Sequence, residues 1–193
     1  MSDLRSIDAG DTAMGVPTES LCRVLELAVA DSPLEETLGE LIGIVESTSR
    51  TGVLGSILLL DQDGIHLRHG AAPSLPEAYC AAIDGAVIGP SVGSCGTAAY
   101  TAEPVFVSDI ANDPLWADFR ELAEANGLGA CWSTPILTSG RKVLGTFAMY
   151  HRGPREPNVR DLVLVDLVTQ IAALVIDRDR AQSTLRHIAK ITN

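Results

Sequence analysis

Gly93-Ser94-Cys95-Gly96-Thr97, Val107-Ser108-Asp109-Ile110, Asp113-Pro114-Leu115-Trp116, Cys131-Trp132-Ser133-Thr134-Pro135-Ile136-Leu137 and Val143-Leu144-Gly145-Thr146-Phe147 follow one another within residues 89–151. In that order they describe a glycine-pinned helix start, a short strand, a capped helix and a closing hairpin. Ser94 is placed to cap a helix over 95–102. Val105-Phe106-Val107 reads as a short strand. Asp113-Pro114 opens a further helix with Leu115, Phe119 and Leu122 along one face, and Asn126-Gly127 stops it. Residues 130–137 and 143–151 read as two strands joined at Thr138-Ser139-Gly140-Arg141. In the second, alternation puts Val143, Gly145, Phe147 and Met149 on one face and Leu144, Thr146, Ala148 and Tyr150 on the other.

Working outward, Val53 to Leu60 is apolar on both faces, as a central strand covered on two sides is. Asp63-Gly64 favours a hairpin turn into a half-buried partner strand at 65–68, and 76–83 predicts a short helix. Upstream, Leu21, Val24, Leu25 and Ala28 recur at helical spacing. A second helix carries Leu34, Leu38, Leu41, Ile42 and Val45 on one face and ends near Ser49, with Ser32-Pro33-Leu34-Glu35 as its expected capping box. Downstream, Pro154 to Pro157 break the chain before a long helix from about Asn158 towards the C-terminus. Two helices, a strand pair, a helical region, three strands and a long helix predict an α+β domain with a mainly antiparallel sheet and helices on its faces.

The chain has 193 residues, 46% of them hydrophobic, enough for one domain with a real core. A formal charge of −11 provides no basic footprint for nucleic acid or an anionic membrane. The longest apolar stretch, 162–176, is interrupted by Asp166, Thr169 and Gln170 and falls short of the roughly 18 residues of a membrane span. Cysteines 22, 80, 95 and 131 are scattered without a CxxC pair, which argues against a zinc ribbon or a disulfide scaffold and for reduced thiols in a cytoplasm.

The motifs SCGTAAY, VSDI, DPLW, CWSTPIL and VLGTF resemble those of the GAF domain, a small-molecule sensor module of signalling proteins, and the likeness covers about 34–177. It is greatest to the subset that precedes histidine kinase or diguanylate cyclase output domains. The resemblance implies a central antiparallel sheet of five or six strands. Helices from both chain ends would pack on one face, and loops and short helices around a ligand cavity on the other. It names no cofactor, since the family binds cyclic nucleotides, haem, bilins or amino-acid derivatives. Residues 1–16 are expected to be a flexible lead-in, 17–177 the sensor domain and 178–193 a helical stalk. Leu167, Ile171, Leu174, Arg178, Ala181, Leu185 and Ile188 alternate by four and three, a heptad register that predicts pairing with a second copy beyond about Ile176.

Seven residues are candidates for the ligand site: Ser94, Cys95, Thr97, Asp109, Trp116, Trp132 and Thr134. Glycines and free N–H groups at a helix start admit a ligand or anion, and they equally serve turn geometry. Trp116 and Trp132 suit a flat ligand or ordinary core packing; Phe119 fits core. Asp109 is positioned to accept from a ligand amine, Asp113 to cap a helix, and Asp118 to sit in solvent. The pattern Val-x-x-Cys-Gly-Thr-Ala at Val92 to Ala98 is similar to that of the free methionine-R-sulfoxide reductases, a GAF branch that uses pocket cysteines. Cys131, just before Trp132-Ser133-Thr134-Pro135, comes several residues later than their catalytic cysteine. A small buried thiol is the plainer reading of Cys95. The histidines (66, 69, 151, 187) lack metal-ligand spacing and read as solvent-facing. Neither bilin attachment nor the cyclic-nucleotide signature is matched. The expectation is a cytoplasmic sensor without enzymatic activity, dimeric through its terminal helices, coupled to a kinase or cyclase output. The alternatives are a thiol-dependent reductase and a ligand-free dimerisation module.

Overall fold

A computed structural model describes residues 18–191 apart from 31 and 50. The expected lead-in, 1–16, lies outside them. The element order is α1 (Thr18–Val29), α2 (Leu34–Thr48), β1 (Leu54–Leu60), β2 (His66–Ala71), α3 (Glu77–Ile83), β3 (Ala86–Val87), α4 (Gly93–Thr101), β4 (Val105–Val107), a 3-10 turn (Pro114–Trp116), α5 (Arg120–Ala125), β5 (Ala130–Leu137), β6 (Val143–His151) and α6 (Val159–Ile191). The strands form a six-stranded sheet in the order β3-β2-β1-β6-β5-β4, with every neighbouring pair antiparallel.

Strand alternation divides the interior into two cores. On one face α1, α2 and α6 bury Val24, Leu38, Ile42, Val168, Ala172 and Ile176 against Ile57, Phe147 and Met149. On the other face α3, α4, the 3-10 turn and α5 cover Leu58, Leu67, Cys131, Ala148 and Tyr150. β1 and β6 lie at the centre of the sheet and are apolar on both sides, as a strand covered twice must be. Gly145 exists because the two strands approach closely there: a Cβ would lie 2.1 Å from the Leu58 carbonyl oxygen.

Several local expectations are corrected. α2 has no capping box: Pro33 is its N-cap, held at φ −53° and ψ 139°, and no side chain caps it. The Pro33 carbonyl instead accepts the Thr37 amide at 3.1 Å. Leu25 is exposed rather than packed. The helix expected from Asp113 is two pieces; Asp113 caps the 3-10 turn, accepting from the Leu115 amide at 2.8 Å, and the chain turns again before α5. The alternation assigned to β6 reverses at its start. Leu137 pairs with Val143 and Ile136 with Gly145, so Leu144 bulges out of register. It joins the α2–α6 core while Val143 faces the opposite one. β3, two residues long, carries no alternation that a sequence could reveal. The long helix runs unbroken through residue 177, and its last buried residue is Ile176.

Candidate functional site

The first turn of α4, the 3-10 turn and the sheet enclose a small void. Gly93, at φ +55°, lets the chain enter α4 at the angle this wall requires. α4 begins at Gly93 behind an N-cap at Val92. Ser94 therefore lies inside the helix instead of capping it. Its hydroxyl accepts from Trp116 Nε1 at 3.0 Å and donates to the Cys131 carbonyl at 3.1 Å. That relay joins helix, lid and sheet in one buried chain.

Leu58, Leu67, Tyr79, Ser94, Cys95, Trp116, Phe119 and Tyr150 are among the residues lining the void, whose volume is about 40 Å³. Space of that size holds a few waters, at roughly 10–15 Å³ each. A larger occupant extends out of this space or displaces a wall. Trp116 and Phe119, here called the lid, form one wall of it. Their rings meet edge to face at 6.4 Å, and the break between the 3-10 turn and α5 lets both point inward. The opposite wall is firm: Tyr79 and Tyr150 meet edge to face at 5.7 Å, and burial pushes both phenols well above their ordinary pKa, so they stay neutral donors.

Cys95 is among the residues that line the void. Cys131 is the largest influence holding the Cys95 pKa down to about 7, against the opposing effect of burial, and Ser133, Tyr150 and Thr146 add to it. Burial first, then the neighbouring Cys95, push Cys131 up. The Tyr150 hydroxyl lies 3.8 Å from the Cys95 sulfur.

The seven sequence candidates fall in three places. Ser94, Cys95 and Trp116 meet at the void. Thr97 and Asp109 are not among its lining residues and make local contacts instead. Thr97 Oγ1 accepts the Val92 amide at 3.1 Å and closes the loop into α4. Asp109 accepts from the Ala111 amide at 3.2 Å and Asn112 Nδ2 at 2.7 Å, shaping its own turn. Trp132 and Thr134 lie on the opposite face, because β5 alternates and Cys131 and Ser133 take the void side. Thr134 borders a surface groove with Thr169 of α6. Trp132 Nε1 donates to the Arg155 carbonyl at 3.1 Å. Tyr79, Leu58 and Tyr150, absent from the sequence candidates, complete the walls; the shared face of Thr146, Ala148 and Tyr150 was the available signal.

His151 corrects the solvent-facing reading, being only 4% exposed. Its ring lies 4.3 Å from that of Trp132, and its Nδ1 accepts from Arg155 Nη1 at 3.3 Å. Arg155 also donates to both carboxylate oxygens of Asp161 at 3.1 and 2.9 Å. This cluster fastens the start of α6 to the sheet. Burial first, then the Arg155 charge, lower the His151 pKa to about 4.

The GAF domain family description matches residues 31–177. The chain belongs to the GAF domain family. This GAF domain is 37% identical over 164 residues to the methyl sulfide methyltransferase-associated sensor of Methanosarcina acetivorans, covering 85% of this chain and 16% of that protein. It therefore spans only a small part of that relative. Its fold is similar to a domain of a two-component sensor histidine kinase protein from Sinorhizobium meliloti, at TM-score 0.65 and 22% identity, covering 80% of this chain and 98% of the other. It is equally similar to the free methionine-R-sulfoxide reductase of Neisseria meningitidis, at TM-score 0.65 and 14% identity over 90% and 96% of the two chains. At those identities the likeness is one of fold. Among the described residues no helix is long and apolar enough to cross a membrane.

Proposed function

We propose that this GAF domain is the small-molecule-sensing module of a cytoplasmic signal-transduction protein, passing the state of its pocket to a kinase- or cyclase-type output through a dimeric α6. The observation that carries the reading is the void lined by Ser94, Cys95 and Trp116, with mostly apolar walls and the Trp116–Phe119 lid on one side. A ligand that binds only when the lid is displaced has different affinities for two conformations, the requirement for any sensor. The name of the Methanosarcina relative as a sensor supports it. Exposed Leu174 and Leu185 on α6 support pairing between copies.

The test is a thermal-shift screen against a metabolite panel, preceded by native mass spectrometry of freshly purified protein to catch a retained ligand. For a compound so found, Trp116→Phe is expected to weaken binding tenfold or more, and Trp132→Phe, on the other face, to leave it unchanged. The reverse pattern would put the site elsewhere. Cys95 in the pocket wall favours the reductase as a second reading; absence of turnover of free methionine sulfoxide with a thiol reductant removes it.

A further inference from the structure

We propose that the pocket takes a small uncharged ligand, an apolar body carrying a single hydrogen-bonding group, and turns away carboxylates, ammonium compounds and zwitterions. The inference rests on the sensor reading and narrows it from a small molecule to a chemical class.

The first observation is what the walls lack. None of the thirteen lining residues is an Asp, Glu, Lys, Arg or His, and Leu58, Leu67, Ile83 and Val92 supply aliphatic surface opposite the aromatic lid. An ion taken from water into such walls loses its hydration and meets no counter-charge, a cost that an uncharged molecule avoids. The start of α4 contributes only about half an elementary charge, and the Val92 amide beside it is already taken by Thr97 Oγ1 at 3.1 Å.

The second observation is where the wall's own donors go. The Trp116 indole N–H is spent on the Ser94 hydroxyl at 3.0 Å, and that hydroxyl on the Cys131 carbonyl at 3.1 Å. Tyr150 and Cys95, whose hydroxyl and sulfur stand 3.8 Å apart, leave a short polar edge in an otherwise apolar lining. A neutral phenol pairs with a ligand hydroxyl or carbonyl, but it does not neutralise an ion. A zwitterion is the least suited occupant, because it needs two counter-charges at once. The lining therefore weighs against free methionine sulfoxide on grounds separate from turnover.

Two sets of probes matched in skeleton and differing in charge test the class: butanol, butyrate and butylammonium, then benzyl alcohol, benzoate and benzylammonium. Cys95 titrates at about 7, so the probes are compared at about pH 6, where its thiol is mostly protonated. The chain has two tryptophans, and a heteronuclear NMR spectrum of the labelled protein carries one indole N–H signal from each. Trp116 reports on the lid and Trp132 on the opposite face of the sheet. Trp132→Phe assigns the two signals, and Trp116→Phe assigns them independently where the first variant folds poorly. The neutral member of each set should move the Trp116 signal saturably, with a Kd at least tenfold below those of its charged partners, and leave the Trp132 signal in place. A carboxylate or ammonium probe that moves Trp116 with equal affinity overturns the ligand class while leaving a working pocket, so the sensor reading survives. Movement of Trp132 alone, or of neither signal, also overturns it, and the sensor reading then rests on the metabolite screen.

Discussion

Ser94 Oγ accepts from the Trp116 indole and donates to the Cys131 carbonyl, so one hydroxyl holds the lid against both the α4 wall and the sheet. Ser94→Ala leaves the buried Trp116 N–H unpaired and takes one donor from the Cys131 carbonyl, and an unpaired buried donor costs about 1–3 kcal/mol. The variant is expected to lose about that much stability by urea unfolding and to show red-shifted tryptophan emission as the lid loosens. Unchanged stability and emission would mean the relay does not hold the lid. Ser94 and Trp116 are each legible in the sequence as site candidates, one from its place after Gly93, the other as a rare aromatic beside a cap. Their bond is not, because a contact across 22 residues leaves no local pattern. Trp132 shows the limit from the other side. Alternation states which residues share a face; it does not state which face carries the pocket.

The elements were legible where a period ran long enough to be counted. β5, β6 and the long α6 follow from alternation and helical spacing, whereas two-residue β3 and the bulge at Leu144 depend on pairing partners far away in the chain. The junction of β6 with α6 was equally hidden, since Arg155 comes from a proline-flanked turn that reads as a simple break. There Arg155 bridges Asp161, His151 and the Trp132 ring, lying 5.2 Å over the ring centre. His151 is held neutral in the fold, its pKa lowered from 6.5 to about 4. The unfolded chain therefore binds the proton first as pH falls, and stability present above pH 6.5 is progressively lost between 6.5 and 4. His151→Phe keeps a ring against Trp132 and removes the titration. Denaturant midpoints measured across that window should fall for the parent and fall less steeply for the variant. Parallel curves would assign the acid sensitivity to other groups.

Pocket and helical bundle share one sheet, and adjacent residues of β5 serve both: Cys131 belongs to the core on the pocket side, and Trp132 faces the fastening of α6. A shift of β5 at the pocket therefore reaches the start of α6 within one residue. Whether it reaches a second copy depends on the far end of α6, where burial against the sheet stops at Ile176 while Leu174 and Leu185 stay 71% and 67% exposed. Leucines at heptad spacing on an exposed face are stabilised by pairing with their equivalents, so the full chain is expected to be a dimer by light scattering. Truncation after Asp177 should give a monomer, but it also removes Arg180, whose guanidinium donates to the Leu60 and Leu144 carbonyls at 2.5 and 3.1 Å. Loss of that cap at the ends of β1 and the β6 bulge alters the domain itself. Leu185→Glu separates the two effects, since it leaves Arg180 in place and sets like charges against each other only in the paired stalk. A monomer with parental unfolding behaviour is the expected result; a persistent dimer in both variants would move the interface to the α1–α2 side of the bundle.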